Sequence, residues 1–421
     1  MTNLFIDHMK IKFILTAASA LICGAALAQE KEAPEYEFTT IVENPITPIK
    51  NQYRSGTCWC FSALSFIESE ILRTKGDTTD LSEMFVVGKS YHDRAVKYVR
   101  LDGHLNFAAG SSFGDVLHVI KDYGIVPQEA MPGFNYGTDK PEHNELDAVL
   151  KGYVSAVAKR PNRNLTTAWL KGFDGIVEAY FGEYPQSFEV NGASHTPESY
   201  RDYLGINTDD YINLTSFTHH PFYKPFVIEV CDNWRWDSAY NLPMEEMMQV
   251  MYNAIENGYT IAWGSDVSEK GFNRNGLAVM PVEEEKVEAG SDQERWVGKD
   301  TEKKAEKKTE KKAEKKADKK KKNKKDMVKP ELPKEQVITQ EMRQDGYDRK
   351  TTTDDHGMHI YGLAQDQNGT KYFMVKNSWG ETGIYMGIWY ASDAFVRYKT
   401  LNIVVHKDAI PAEIKIKLGI Q

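Results

Sequence analysis

Residues 51–62 read Asn51-Gln52-Tyr53-Arg54-Ser55-Gly56-Thr57-Cys58-Trp59-Cys60-Phe61-Ser62. Beyond Cys58, the apolar residues Phe61, Leu64, Ile67, Ile71 and Leu72 recur at helical spacing, with Ser55 and Thr57 near the start. The pattern predicts a helix from Cys58 to about Thr74. Cys58 then falls in the first turn. There it feels the partial positive charge of the helix N-terminus, which favours thiolate, and lies among backbone N–H groups without helical partners. Those groups suit a developing oxyanion, and Gln52, six residues upstream, supplies a side-chain amide for a second hydrogen bond. The segment therefore holds the parts for acyl transfer at sulfur. Cys60, two positions along the same helix, lies on a different face and reads as structural.

A second segment supplies the base. The runs His356–Ala364 and Lys371–Lys376 read as strands joined by Asp366-Gln367-Asn368-Gly369, and Asn-Gly between such runs is a hairpin signal. The hairpin brings His356 and Asn377 within a few rungs of each other. An amide bonded to one imidazole nitrogen sets the ring's tautomer and orientation, leaving the other nitrogen for the thiol. His359, three residues on, faces the opposite side of the strand and is the lesser candidate.

Gln52 followed by Gly56-Thr57-Cys58-Trp59 at a helix start resembles the active-site segment of papain-like cysteine peptidases. Ser55 stands where many of those have another cysteine, and with the Asn51-Gln52 lead-in the segment is similar to the bleomycin hydrolase and aminopeptidase C branch. His356-Gly357-Met358 resembles that branch's His-Ala-Met, and Val375-Lys376-Asn377-Ser378-Trp379-Gly380 matches its asparagine segment. Lys121–Pro127, Asn241-Leu242-Pro243-Met244-Glu245 and Trp263-Gly264-Ser265-Asp266-Val267 extend the likeness over most of residues 45–415.

The resemblance implies a papain-like α+β fold of two lobes with a large middle insertion. A helical lobe carries Cys58, a β-rich lobe carries His356 and Asn377, and substrate lies between. It implies Cys58 as nucleophile, His356 as base and then acid, and Asn377 as its orienting partner. Trp379 shields the His–Asn pair and Gln52 completes the oxyanion hole. Where the branch has Gly-Gly-Gln-Trp, this chain has Gly110-Ser111-Ser112-Phe113, so Gly110 and Ser111 are the expected substrate-binding pair with altered subsite geometry. It also implies peptide substrates, a thioester intermediate, no metal or organic cofactor, and a homo-oligomer, hexameric in the family. Aminopeptidase activity is the expected specificity. The branch's C-terminal carboxylate enters the cleft to hold the substrate amine, whereas this chain ends sooner, at Gln421. The alternatives are an endopeptidase of the same fold, or a catalytically silent binding protein tethered to an anionic envelope surface.

Composition sets the remaining bounds. At 421 residues and 41% hydrophobic, the chain suits one elaborated domain or two packed lobes. Its net charge is −9, yet Thr301–Lys325 alone carries a local +9, so the rest is strongly acidic. Such an acidic body does not suggest nucleic-acid binding, and no nucleic-acid partner is expected. The Glu-Lys-Lys-Ala/Thr repeat places like charges four apart and sustains no apolar stripe, so residues 283–335 read as a solvated, disordered insertion.

Lys10 and Lys12 precede an apolar run ending in Ala26-Leu27-Ala28, which reads as an export signal cut after Ala28, with a start at Met1 or Met9. The run is too short for a membrane span, and Ile22 before Cys23 disfavours a lipid anchor. A periplasmic or secreted location follows. Export leaves Cys58, Cys60 and Cys231, an odd number that keeps at least one thiol free. Pro243 opens a helix to about Asn257, whose Met247, Met248 and Met251 read as core. His219-His220 lacks a third ligand of sensible spacing and reads as a surface pair, so no metal site is expected. The expected organisation is a signal peptide at 1–28, a helical lobe with its insertion at 29–282, the low-complexity insertion at 283–335 and a β-rich lobe at 336–421.

Overall fold

The computed structural model describes residues 35–159, 164–282 and 331–420. The export signal, the Lys-rich repeat and Gln421 lie outside the described residues. The helix around which the rest is built runs Cys58–Lys75 and stops at Gly76, whose left-handed φ of 75° lets its N–H bond Leu72 O. Nearly every residue from Trp59 to Ile71 is buried, so this helix is covered on all sides. One side packs on helices Glu83–Arg100 and Phe113–Tyr123, the other on strands Ile261–Ser265 and His356–Gln365.

Two apolar cores follow from that sandwiching. In the helical core Leu64, Ile67, Phe85, Val116, Leu150 and Phe173 meet, drawing in helices Asn144–Ala158 and Ala168–Phe181. The second core lies on the sheet and is closed by helix Met244–Glu256, whose Met247, Met248 and Met251 are fully buried, as their spacing predicts.

The sheet has eleven strands among the described residues. Its order from one edge is Pro225–Val227, Ser238–Asn241, Tyr211–Thr215, Thr400–His406, Ile261–Ser265, His356–Gln365, Lys371–Lys376, Ile388–Ser392, Leu277–Ala278 and Phe272–Asn273. Thr39–Glu43 pairs with the far end of His356–Gln365. The hairpin forms over the expected residues, with Gly369 at φ 81° in its turn.

Two boundaries need correction. The β-rich lobe is not confined to 336–421, because six strands before residue 283, besides Thr39–Glu43, join the same sheet. Long-range pairing of this kind leaves no mark in local composition. The insertion also ends before residue 335. Val282 N–H bonds Lys334 O, Gln336 N–H bonds Met280 O, both at 2.8 Å, and Pro281 bridges Glu335. Residues 334–336 are thus stitched to residues 280–282, just before the insertion. No helix among the described residues is long and apolar enough to cross a membrane.

Candidate active site

Cys58 is the first residue of its helix, and the Thr57 side chain makes no capping hydrogen bond, so the helix start is left open. The thiol lines a cavity of about 300 Å³ together with Gln52, Trp59, Gly110, Ser111, Asp232, Asp354, His356 and Trp379. Gly56, at φ 65°, makes the turn into the helix, and a Cβ there would lie 2.8 Å from Ala109 Cβ. The Trp59 indole N–H bonds Ala109 O at 3.0 Å and closes that side.

His356 reaches the cavity from the end of the hairpin strand. Its Nε2 lies 2.8 Å from Asn377 Oδ1, and Trp379 stacks on the ring with centroids 4.8 Å apart. The bond to Asn377 leaves Nδ1 for the thiol. His359 sits on the other face, buried in the helix interface with Nδ1 2.9 Å from Ser65 Oγ, and takes no part in the cavity.

Two residues whose roles sequence reasoning missed hold this arrangement. Gly357 crosses the helix start so closely that a Cβ would meet Ser62 Oγ at 2.7 Å and Phe113 Cε1 at 2.9 Å. The missing side chain lets the Gly357 backbone come close to the Cys58 sulfur, where it opposes the rise of the thiol pKa. The glycine next to His356 was the available signal. Ser378 is the other. Its Oγ donates to Gln52 Oε1 at 2.6 Å and its backbone N–H to Asn377 Oδ1 at 2.7 Å. The first bond fixes the Gln52 amide with its oxygen turned away, leaving the nitrogen for the cavity.

The loop bearing Gln52 is anchored from below. Lys50 Nζ reaches Glu68 at 3.1 Å, Glu83 at 2.7 Å and Asp80 at 2.6 Å. Asn51 bridges to Trp379, and Gly380 N–H bonds Lys50 O.

The electrostatics differ from the helix-start expectation. Burial pushes the Cys58 thiol up to about 11, backbone hydrogen bonds at Gly357 and Trp59 oppose this, and Asp354 and Asp232 add to it. Burial likewise pushes the His356 imidazole down to about 4, against the bond to Asn377. Both directions favour neutral thiol beside neutral imidazole. Attraction between thiolate and imidazolium acts only once the proton has crossed, so the charged pair depends on that contact and not on the helix end alone. Cys60 is fully buried, its Sγ turned to Glu83 O at 3.5 Å, and its thiol is pushed well above the ordinary value by burial.

Gly110 and Ser111 line the cavity, but differently from the expectation. The Ser111 hydroxyl is committed, donating to Asp115 and accepting from Trp234 Nε1 at 2.7 Å. Gly110 makes room for the Asp232 carboxylate, which a Cβ would overlap at 2.0 Å. Asp232, also bonded by Asn106 Nδ2 at 2.9 Å, lines the cavity with Asp237, Asp354 and Asp355, four carboxyls that no motif announced. Crowding around its carboxyl, then Asp232 and Asp355, push Asp354 upward from the ordinary carboxylate range, and solvent at this exposed residue moderates the shift.

The same fold recurs in solved structures. The crystal structure of PepW from Lactobacillus rhamnosis HN001 superposes with a TM-score of 0.63 at 18% identity, covering 90% of this chain and 84% of the other. Among curated proteins, Aminopeptidase G of Lactobacillus delbrueckii subsp. lactis is 21% identical, covering 93% of this chain and 88% of its own length. Aminopeptidase C of Lactococcus lactis subsp. lactis (strain IL1403) is also 21% identical, covering 87% and 82%. Residues 35–143 match the model of the papain family cysteine proteases. The model of the Peptidase C1-like family matches residues 183–307 and 292–419, more than half of the chain and the whole span from the sheet's first edge strands to His356 and Asn377. With that match the chain belongs to the Peptidase C1-like family of cysteine peptidases.

Proposed function

We propose that the protein is a cysteine aminopeptidase that trims peptides from their amino end. Cys58 Sγ attacks the carbonyl carbon of the first peptide bond as its proton passes to His356 Nδ1. The Gln52 amide and the open N–H groups at the helix start hold the oxyanion. His356 then returns the proton to the leaving amine, and a water molecule activated by the same imidazole hydrolyses the thioester. Asn377 keeps the ring in register and Trp379 keeps water from their bond. As part of the same proposal, the reading of residues 1–28 as an export signal puts this activity outside the cytoplasm.

The observation that carries the amine specificity is the carboxyl pair Asp232 and Asp354 in the thiol's own cavity. Both push the thiol pKa upward, and a substrate ammonium seated between them offsets that repulsion. The named activity of Aminopeptidases G and C agrees with this reading. An acetylated peptide brings no positive charge to the carboxyls, so kcat/KM falls about a hundredfold, on the order of 3 kcal/mol of transition-state stabilisation. Equal cleavage of free and acetylated peptides makes the enzyme an endopeptidase instead.

The pH profile supplies a second check. Asp354 must be ionised to hold an ammonium, and its carboxyl is raised from the ordinary carboxylate range. For a free peptide kcat/KM therefore falls as pH drops into the raised range of this carboxyl, which lies above the range of the buried His356 imidazole and below that of the Cys58 thiol. Asp354→Asn removes that limb, and so does acetylating the substrate. Persistence of the limb in both cases contradicts the assignment.

Ser378→Ala tests the oxyanion arrangement. Removing one oxyanion donor costs about a hundredfold or more in kcat. Loss of orientation alone costs less, so Ser378→Ala lowers kcat about tenfold with KM little changed, and Gln52→Ala exceeds it. An unchanged kcat in Ser378→Ala means the Gln52 amide needs no holding.

A further inference from the structure

The pair His219-His220, which lacks a third ligand in the sequence, gains one in the fold. Glu229, ten residues on, places Oε2 3.1 Å from His219 Nε2 and Oε1 3.1 Å from His220 Nε2. One ligand atom from each of the three residues lies within 4.8 Å of the others. We propose that His219, His220 and Glu229 form a zinc-class divalent metal site that pins one wall of the substrate cleft.

The separations suit such an ion. The two imidazole nitrogens face different oxygens of one carboxylate, and one ligand atom from each residue lies within 4.8 Å of the others, so small side-chain movements bring three donors to the separation of about 3.3 Å found around a tetrahedral centre. Drawing the two imidazole nitrogens in completes three corners, and water takes the fourth. Two imidazoles with one carboxylate select zinc-like ions over magnesium or calcium, which take mostly oxygen ligands.

The surroundings orient the ligands as metal ligands are oriented. His219 Nδ1 lies 3.1 Å from Gln344 Nε2 and 3.4 Å from its Oε1, so this amide serves either imidazole tautomer, including the one with Nε2 free for metal. Gln344 is itself held, its Nε2 bonding Asp348 and its Oε1 accepting from Thr218 N–H. Tyr347 stacks on His219 at 15° and donates its hydroxyl to Glu229, while Phe226 stacks on His220 with centroids 4.3 Å apart.

The position gives the site its consequence. Ile228 and Val230, on either side of Glu229, line the cavity that contains Cys58, and Asp232 follows two residues later. An ion at Glu229 ties this wall to the loop after strand Tyr211–Thr215 and restrains it behind the substrate.

The test uses the full chain carrying Cys58→Ala and Cys231→Ala, so that neither the cleft thiol nor the exposed one competes for metal. Calorimetric titration with Zn²⁺ gives one equivalent bound at this site, and saturating Zn²⁺ raises the melting midpoint by about 5 °C. His220→Ala and Glu229→Gln each weaken binding at least tenfold and abolish the shift, whereas His92→Ala, at a separate His–Asp contact, leaves both intact. If His220→Ala does not fold, the Glu229→Gln result stands alone. Hydrogen exchange slows in residues 225–232 when Zn²⁺ is added. Zn²⁺ binding indifferent to Glu229→Gln, an equal shift with Mg²⁺ or Ca²⁺, or protection confined to another region overturns the proposal.

Discussion

Cys58→Ala lowers peptide hydrolysis by about three to five orders of magnitude, while Cys60→Ala leaves the rate within about threefold of the parent. The two thiols are two residues apart on one helix, and the contrast comes from where each one points. Cys58 opens into the cavity with His356, whereas Cys60 is fully buried with its sulfur on Glu83 O. Cys60→Ala removes one sulfur from a packed site, costing about 1 kcal/mol of stability without reaching the reaction. The loss in Cys58→Ala is large because no other thiol in the cavity forms the acyl intermediate. Residual turnover comes from binding and the oxyanion donors. Steady-state rates on one free peptide decide it, and comparable losses in both variants remove Cys58 from the nucleophile's role.

His356→Ala lowers turnover by about as much, and it also changes the thiol. With burial pushing Cys58 up to about 11, the sulfur needs a nearby acceptor for its proton. His356 supplies it, because Asn377 holds one ring nitrogen and leaves the other uncommitted. Without the imidazole, iodoacetamide reactivity near pH 7 falls more than tenfold and recovers only as pH climbs toward the thiol's own range. His359→Ala does neither. That ring bonds Ser65 in the interface between helix and sheet, so its loss shows in the melting midpoint and leaves the alkylation profile unchanged. Neutral-pH reactivity that survives His356→Ala means the helix start activates the thiol by itself, as the sequence alone suggested.

Local signals carried the parts of the site that lie within one element. The helix beginning at Cys58, the hairpin of His356 and Asn377, and the buried methionines of Met244–Glu256 all follow from periodicity and turn chemistry. Those properties depend on neighbours a few residues away, and the residues present are enough to state them. The papain-like α+β architecture was expected from the resemblance that two short, continuous segments carry, and not from periodicity.

Tertiary structure decided whatever needed distant residues to meet or water to leave. Ser378 holds Gln52 across 326 positions, and Asp232 comes to lie against Gly110 with no motif to mark either pairing. Strands from both sides of the insertion share one sheet, so lobe boundaries read from composition were misplaced. Glu229 joins His219 and His220 only because the chain folds back beside them. The resting charge of the thiol and imidazole was also undecidable from the residues alone. A helix end near a cysteine is a local fact, but desolvation depends on every atom packed around the sulfur, and here it pushes both groups toward their neutral forms.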